Sequence, residues 1–389
     1  MKMRCLILFC LLLSSILADN WAVLVAGSNE WYNYRHQADV CHAYQILHSH
    51  GIPDDHLVVM MYDDIANNTN NPLPGVILNH PHGLNVYKNV PKDYTGYQVT
   101  SYNFLNVLLG KASGKNIRPT SNDNVFIYMV DHGAPGMFCF PDGPLYADQL
   151  QKALEKMTFR QLVLYMESCE SGSMFDQWLK KNNSNVYVTT AATPFESSYA
   201  CYHDERIGVY LGDIYSVNWM EYADARDFSN TTIYQQFRYD RSETDMSHVC
   251  EYGNQTISQT SFLKDFLGPT PAPKFDFSSG NGKSVDSRRA KITQIYYDLG
   301  KWLTKPIDSI DLVKFAEALL KFNLEAQKLI RATDLFLDFK SNPRPYPGQC
   351  YNVENISYEC LRDFVEEYFK NQPNEYELEV IAKVRPCLY

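Results

Sequence analysis

A chain of 389 residues is long enough for one large core and a smaller second unit. Its 45% hydrophobic and 21% charged residues give a globular balance that excludes disordered and fibrous classes. A formal net charge of −10, with no cluster of Lys and Arg, excludes nucleic acid as the main partner.

At the N-terminus, Lys2 and Arg4 precede an apolar run from Cys5 to Leu17, and Ala18 is a candidate cleavage residue. This is the pattern of a secretory signal peptide over residues 1–18. The run is too short to span a bilayer, which takes about 20 apolar residues. No later segment is longer, so no membrane span is expected. The expectation is a soluble protein of the secretory route, either secreted or held in an endolysosomal, vacuolar or gut compartment. Five N-x-S/T acceptors fit that route: Asn67, Asn182, Asn230, Asn254 and Asn355. Each triplet alone arises often by chance.

Residues 19–267 alternate apolar strands with amphipathic helices, which predicts an α/β fold with a mostly parallel sheet. The strand candidates are Trp21–Ala26, Leu57–Tyr62, Val125–Val130, Leu162–Met166 and Val186–Thr190. Helical patterns lie near Ala38–His50, Tyr102–Leu109 and Ala147–Lys156, while Gly208–Tyr222 fits neither period cleanly. From Gly268 to Lys283 the texture becomes GPTPAPKFDFSSGNGK, an exposed linker, and residues 268–289 are grouped as linker and activation segment. Residues 290–389 then read as a separate helical domain. Its helices are expected at Ala290–Leu303, Ile310–Leu337, near Tyr358–Lys370 and at Glu375–Val384.

Eight cysteines follow the leader. Cys41, Cys139, Cys169, Cys201 and Cys250 are scattered singly, whereas Cys350, Cys360 and Cys387 crowd the tail. Disulfides are the default in a secreted chain, but the scatter resists that reading for the core.

In open parallel sheets, sites form outside the carboxyl ends of the strands. The first strand runs into GSNEWYNYRHQAD, which carries Asn33, Arg35 and His36. Val125–Val130 runs into Asp131-His132-Gly133, and Leu162–Met166 into Glu167-Ser168-Cys169. An imidazole beside a thiol lowers the thiol pKa and can protonate a leaving amine. Gly133 permits close backbone approach, so its N–H and that of Cys169 can form an oxyanion hole. The plainer alternative is an inert packed cysteine and a structural histidine, which a lone cysteine would favour. Both groups standing at strand ends beside glycines tips the balance to the Cys169–His132 pair. Asn33 read alone is a turn residue. No metal site is expected, because His48/His50 and His80/His82 lack a third ligand.

The segments WAVLVAGSNEWYNYRHQADVCHAY, VVMMYDDIA, NVPKDYTG, VFIYMVDHGAPG, YMESCESGSMF, ESSYACY and YLGDIYSVNWME closely resemble the legumain family of asparaginyl endopeptidases, caspase-like cysteine peptidases. The likeness is strong over about residues 20–260 and weaker in the tail. It implies a caspase-like α/β/α sandwich followed by an all-helical C-terminal inhibitory prodomain. It implies Cys169 as nucleophile, His132 as proton carrier, Asn33 as orienter of the imidazole and Gly133 in the oxyanion hole. It also implies a specificity pocket of Arg35, His36, Glu167, Ser198, Tyr210 and Asp213, with no cofactor. Arg35 can donate to a substrate asparagine carbonyl while Glu167 and Asp213 accept from its amide nitrogen. Substrate aspartate would meet like charge there unless low pH protonates a carboxylate.

By the same resemblance, the partners are protein and peptide substrates with Asn before the scissile bond, the chain's own prodomain, and cystatin-type inhibitors. Cys360 and Cys387 keep the positions of one family disulfide. Tyr368 stands where the partner of Cys350 is usual, so Cys350 is free or differently paired. Glu30 replaces a common glycine beside the Asn33 loop, and Ser168 a more frequent alanine. Asn281, within the linker, offers the enzyme's own specificity a maturation site, and the helical tail is expected to cover the active-site edge until acidification. The rivals are a ligase using the same acyl-enzyme, a catalytically idle binding protein, and a membrane-anchored transamidase. The first cannot be separated by sequence, the second is disfavoured by Cys169 with His132, and the third lacks a C-terminal span.

Overall fold

The computed structural model describes residues 18–179, 184–274, 284–303, 312–341 and 373–384, together with 362, 365 and 366. Its centre is a six-stranded sheet made of β1 (Asn20–Ala26), β2 (Leu57–Met60), β3 (Asn124–Val130), β7 (Gln161–Glu167), β8 (Val186–Thr190) and β11 (Cys250–Gly253). The spatial order is β11-β8-β7-β3-β1-β2. All neighbours run parallel except β11, which is antiparallel to β8 at the edge. Two small antiparallel sheets join it. One holds β4 (Gly133–Ala134), β5 (Met137–Phe138) and β6 (Leu145–Tyr146), the other β9 (Tyr199–Asp204), β10 (Val209–Asp213) and β12 (Val285–Asp286).

The near-continuous apolar runs of β1, β3 and β7 suit strands covered on both faces. Because successive side chains point oppositely, each strand feeds two cores. Ala22, Leu24, Phe126, Tyr128 and Tyr165 pack with helices α1 (Tyr34–Ser49), α4 (Ile214–Asp224) and α5 (Ile233–Glu243). Val23, Val25, Ile127, Met129 and Leu164 pack with α2 (Ser101–Leu108) and α3 (Ala147–Leu154) on the other side. The result is a three-layer α/β/α sandwich, with the short helices α6 (Gln255–Thr260) and α7 (Lys264–Leu267) at its rim. Among the described residues no helix is long and apolar enough to cross a membrane.

The ambiguous stretch Gly208–Tyr222 is two elements. The period switches from two to 3.6 at Asp213, which ends β10 and stands just before α4. Parallel register aligns Ala26 with Val130 and Val130 with Glu167. The segments after all three strands therefore leave from one edge.

The tail contributes α8 (Ala290–Leu303), α9 (Leu312–Ser341) and α10 (Glu375–Val384). Ala332, Tyr376, Leu378 and Ile381 pack on Ala134, Met137 and Tyr146 of the sandwich. Residues 284–289, grouped with the linker from sequence, pair and pack with the core instead: β12 is antiparallel to β9, and Ser287 and Arg288 are buried.

Ala18 is exposed at the start of the described chain, and Asn67 and Asn230 are exposed acceptors. Asn254 is half-buried and caps α6, its Oδ1 accepting from the Thr256 N–H at 3.1 Å. Asn182, Asn281, Asn355, Cys350, Cys360, Tyr368 and Cys387 lie outside the described residues. Cys41, Cys139, Cys169, Cys201 and Cys250 are free.

Candidate active site

Cys169 and His132 lie just beyond adjacent strands β7 and β3, and Asn33 stands just before α1. The chain packs tightly between the first two. A Cβ on Gly133 would lie 2.5 Å from the Cys169 carbonyl oxygen and 2.8 Å from Ser168 Oγ, so only glycine fits there.

The proton inventory at His132 follows from Asn33. Asn33 Nδ2 donates to the Asn29 carbonyl at 2.9 Å, and a carbonyl can only accept, so the amide orientation is fixed. Its Oδ1 therefore faces His132 Nε2 at 3.0 Å and requires a proton on Nε2. The basic lone pair of neutral His132 is left on Nδ1, a buried atom with no hydrogen-bond partner. The amide thus holds the neutral imidazole in one tautomer. Burial, with Arg35, Arg288 and Lys291 nearby, holds His132 well below the usual histidine range.

The Cys169 thiol is turned towards β9. The Ser198 N–H donates to Sγ at 3.3 Å, and Ser198 Oγ lies 3.8 Å away. Burial pushes this thiol up to about 12, against the pull of Arg288, with Asp286 and Glu170 adding to the rise. Burial thus favours the neutral form of both thiol and imidazole.

The polar pocket sits under the start of α1. Arg35, expected from sequence in a loop, lies in the first turn of the helix and is 1% exposed. Its Nε donates to Asp213 Oδ1 at 2.8 Å. His36 takes Ser28 Oγ at 2.7 Å on Nδ1, with Asp131 Oδ1 at 3.2 Å, while its Nε2 faces Asp213 Oδ2 at 3.6 Å. Its ring meets His132 edge-on, centroids 5.2 Å apart. Glu167 Oε2 accepts from the Ser216 N–H and hydroxyl, both at 3.0 Å, whereas its Oε1 is buried with no hydrogen-bond partner at normal geometry among the described residues, the Ser198 side chain standing close by. Burial, then Asp213, push the Glu167 carboxyl well above the usual range. Tyr210 packs with Ala200 and Ala290. Arg35, His36, Glu167, Ser198 and Asp213 are thus brought together, and Tyr210 forms an apolar wall.

His36, Asp131 and His132 bring one donor atom each within 4.8 Å of one another, a trio missed in the sequence. Arg35, Arg288 and Lys291 stand beside these groups and oppose a dication.

The pocket is filled by the chain itself. The Ser287 N–H donates to the Ser198 carbonyl at 3.0 Å, continuing the β12–β9 ladder, and Ser287 Oγ donates to Asp213 Oδ1 at 3.1 Å. The Ser287 carbonyl accepts from Arg35 Nη2 at 3.4 Å. Arg288 then reaches Glu170, the residue after Cys169, and donates to the Gly133 carbonyl at 3.1 Å and Ser197 Oγ at 3.2 Å. Sequence reading missed Ser287, Arg288 and Glu170. The only signal was a basic pair, Arg288-Arg289, directly before an apolar helix.

Glu30 has φ 72° and ψ 152°, a conformation that glycine occupies readily and other residues rarely. Its carboxylate lies 3.3 Å from Lys291 Nζ of α8.

A thiol, an imidazole held in one tautomer by an amide, and a strand edge that accepts an extended chain define a cysteine peptidase. The chain belongs to the Peptidase C13 family, which it matches over residues 20–269. It is 41% identical over 376 residues to legumain of Rattus norvegicus, covering 87% of this chain and 85% of that one. It is 51% identical to legumain of Homo sapiens over 65% of this chain and 62% of that protein. The vacuolar-processing enzyme delta-isozyme of Arabidopsis thaliana is 47% identical over 64% of this chain and 58% of its own length. Among solved structures, caspase-1 from Spodoptera frugiperda aligns with 67% of this chain and 93% of its own at 9% identity and a TM-score of 0.39.

Proposed function

We propose that this cysteine endopeptidase cleaves after asparagine, and more weakly after aspartate at acid pH. The observation that carries the reading is the seat of Ser287 among Arg35, Asp213 and Ser198. An asparagine side chain in that seat offers two N–H donors, one for Asp213 and one for the unpartnered Glu167 Oε1, and a carbonyl for Arg35. Aspartate would bring a third carboxyl group to Glu167 and Asp213, so its entry is favoured as low pH protonates a carboxylate, the substrate's own included.

In this reading His132 Nδ1 takes the Cys169 proton as the sulfur attacks the carbonyl carbon. The oxyanion forms against the N–H groups of Gly133 and Cys169. Collapse breaks the C–N bond, and His132 returns the proton to the leaving amine. Water then hydrolyses the thioester. The segment 285–288 escapes cutting because the Ser287 carbonyl faces Arg35 rather than that pair of N–H groups, and the backbone turns helical at Ser287.

The same contacts support a zymogen in which the tail covers the site at neutral pH and leaves on acidification. An endolysosomal or vacuolar compartment, as the legumain and vacuolar-processing relatives suggest, would supply the acid. The test is to incubate the acid-treated protein with matched peptides bearing Asn, Asp or Arg before the scissile bond. Selective hydrolysis after Asn is expected, and equal turnover of all three would refute the pocket.

A further inference from the structure

Behind the specificity pocket runs a buried chain of polar groups. Asp224 Oδ2 meets His42 Nε2 at 2.8 Å, and His42 Nδ1 meets Asn79 Oδ1 at 2.7 Å. Asn79 Nδ2 donates to Asp39 Oδ1 at 2.6 Å, and the Asp39 carboxyl lies within reach of Asp213, the partner of Arg35. Asp39 and Asp213 are both fully buried.

The proton positions in this chain are determined by its partners. Asn79 Nδ2 also donates to the Leu211 carbonyl at 2.9 Å, and that oxygen can only accept, so the amide cannot be flipped. Asn79 Oδ1 thus accepts from His42 Nδ1–H, and Asp39 Oδ1 accepts from Asn79. Among the described residues no donor comes within hydrogen-bond distance of Asp39 Oδ2 or Asp213 Oδ2, His36 Nε2 standing off the latter at 3.6 Å. Two carboxyl groups that bond to each other need one proton between them. Asp213 Oδ1 takes donors from Arg35 and Ser287, so Asp213 keeps the charge. Asp39 has one neutral donor and no cation in contact, so the proton belongs on its Oδ2.

We propose that Asp39 is a positioning residue for substrate specificity that works in its protonated form, donating to Asp213 so that one anchored carboxylate faces Arg35. The inference rests on the reading of Arg35 and Asp213 as the pocket for the residue before the scissile bond. Burial pushes the Asp39 carboxyl well above the usual range, and Asp213 and Glu167 add to it. The other groups facing Asp39 are Arg35, Cys41 and His42 on α1, Tyr128 on β3, Cys201 on β9 and Asn79. Arg35 is committed to Asp213, and His42, which donates from both ring nitrogens, is committed to Asp224 and reaches Asp39 only through Asn79. The backbone next to Asp213 runs against this chain of groups: a Cβ on Gly212 would lie 3.1 Å from Asn79 Nδ2 and 3.2 Å from Asp39 Oδ1. Ionising Asp39 sets two anions side by side, pulls Arg35 between them and empties the pocket of its alignment.

The test compares the pH dependence of kcat/KM for acid-matured wild type, Asp39→Asn and Asp39→Ala. Asparagine reproduces the protonated acid, with Oδ1 accepting from Asn79 and Nδ2 donating to Asp213. Asp39→Asn should stay within about threefold of wild type at acid pH and carry its activity at least roughly one pH unit further towards alkali. Asp39→Ala should lose tenfold or more, on the order of one charged hydrogen bond, chiefly in KM. A folded Asp39→Asn that is inactive, or whose alkaline limb matches wild type, overturns the proposal. Should Asp39→Asn not fold, Asn79→Ala carries the test. Losing a donor to the ionised form makes Asp39 harder to ionise, so the alkaline limb must again move up, and an unmoved or lowered limb overturns the proposal. Rates are compared on whichever peptide the wild type cleaves best, so a wild type indifferent to asparagine refutes the specificity reading alone.

Discussion

Arg288 and Glu170 face each other across the junction of tail and core, both almost fully buried, beside the Cys169 thiol. Breaking a buried pair from one side leaves an uncompensated charge and costs about 3–5 kcal/mol. In chain cut within the linker, Arg288→Ala should therefore weaken tail docking at neutral pH by roughly a hundredfold or more. Size-exclusion chromatography at pH 7 checks this, and a variant whose tail still co-elutes with an inactive core would rule the contact out as a latch.

Cys169→Ala and His132→Ala should abolish peptide hydrolysis without unfolding, since neither introduces a buried charge. Asn33→Ala should lose roughly tenfold to a hundredfold, because the imidazole keeps its chemistry but not its fixed tautomer. Turnover numbers set beside thermal melts decide the matter. Substantial hydrolysis by folded Cys169→Ala would exclude that thiol as nucleophile.

Arg35→Ala should cost at least about tenfold on asparagine substrates, for one charged hydrogen bond lost and Asp213 left without its cation. Cleavage after aspartate should gain on cleavage after asparagine as pH falls towards about 4, where the substrate's own carboxylate begins to protonate. A constant ratio across that range contradicts the mixed-charge pocket.

A second group expected to drive the proposed acid release is His203 of β9, whose ring meets Tyr210 edge-on at 5.0 Å and lies tilted against Tyr297 of α8 at 4.6 Å. Burial, then Lys301, hold its pKa below the ordinary histidine value in the docked state. A depressed base contributes docking energy that is full above its free-state pKa and lost as pH falls through it, from about 6.5 downward. His132, lowered by burial with Arg288 and Lys291 among the causes, acts in the same sense. His203→Phe keeps the ring contacts, gives up no hydrogen bond at Nε2, and should move tail release to lower pH. Sedimentation across a pH series reads the midpoint, and an unchanged midpoint removes His203 from the switch.

Glu30 carries backbone strain that glycine would relieve, so Glu30→Gly should stabilise the core by about 1 kcal/mol. The Glu30 end of its ion pair with Lys291 is exposed, and the mostly buried Lys291 keeps Glu325 and Glu375 as partners, so losing the pair should cost docking little. Glu30→Ala should bring no gain, because alanine has the same objection to a φ of 72°. Chemical denaturation of the three proteins separates the outcomes.

The sandwich was legible because β1, β3, β7 and β8 are short apolar runs closed by polar segments, and the site because its groups follow those runs. Gly208–Tyr222 was not, since one unbroken stretch changes period at Asp213. Arg35 and His36 were found but placed in a loop, as Tyr34 opens a helix with no side-chain cap to announce it. Asp39 and Asn79 escaped notice for a physical reason. Buried polar residues inside a helix pattern or a loop look like solvated ones until the tertiary contact that satisfies them is known. Ser287 and Arg288 lay behind a proline- and glycine-rich run that signals exposure, and their burial depends on a strand partner distant in sequence.

On the proposed function, the pairing of β12 with β9 would set the kind of protein this peptidase can attack. Val285 and Asp286 lie opposite Ala200 and Tyr199, and the Ser287 N–H reaches the Ser198 carbonyl, so when β12 leaves, a short row of main-chain groups is open to a new strand. Main-chain pairing ignores side-chain identity but demands an extended, unpaired stretch. An asparagine inside a helix or an interior strand of a native target has its backbone already committed and cannot be lifted onto β9. Such targets would be cut first at projecting loops, and elsewhere only as acid loosens them, so the order of cuts in a folded protein would follow its local unfolding rather than the positions of its asparagines.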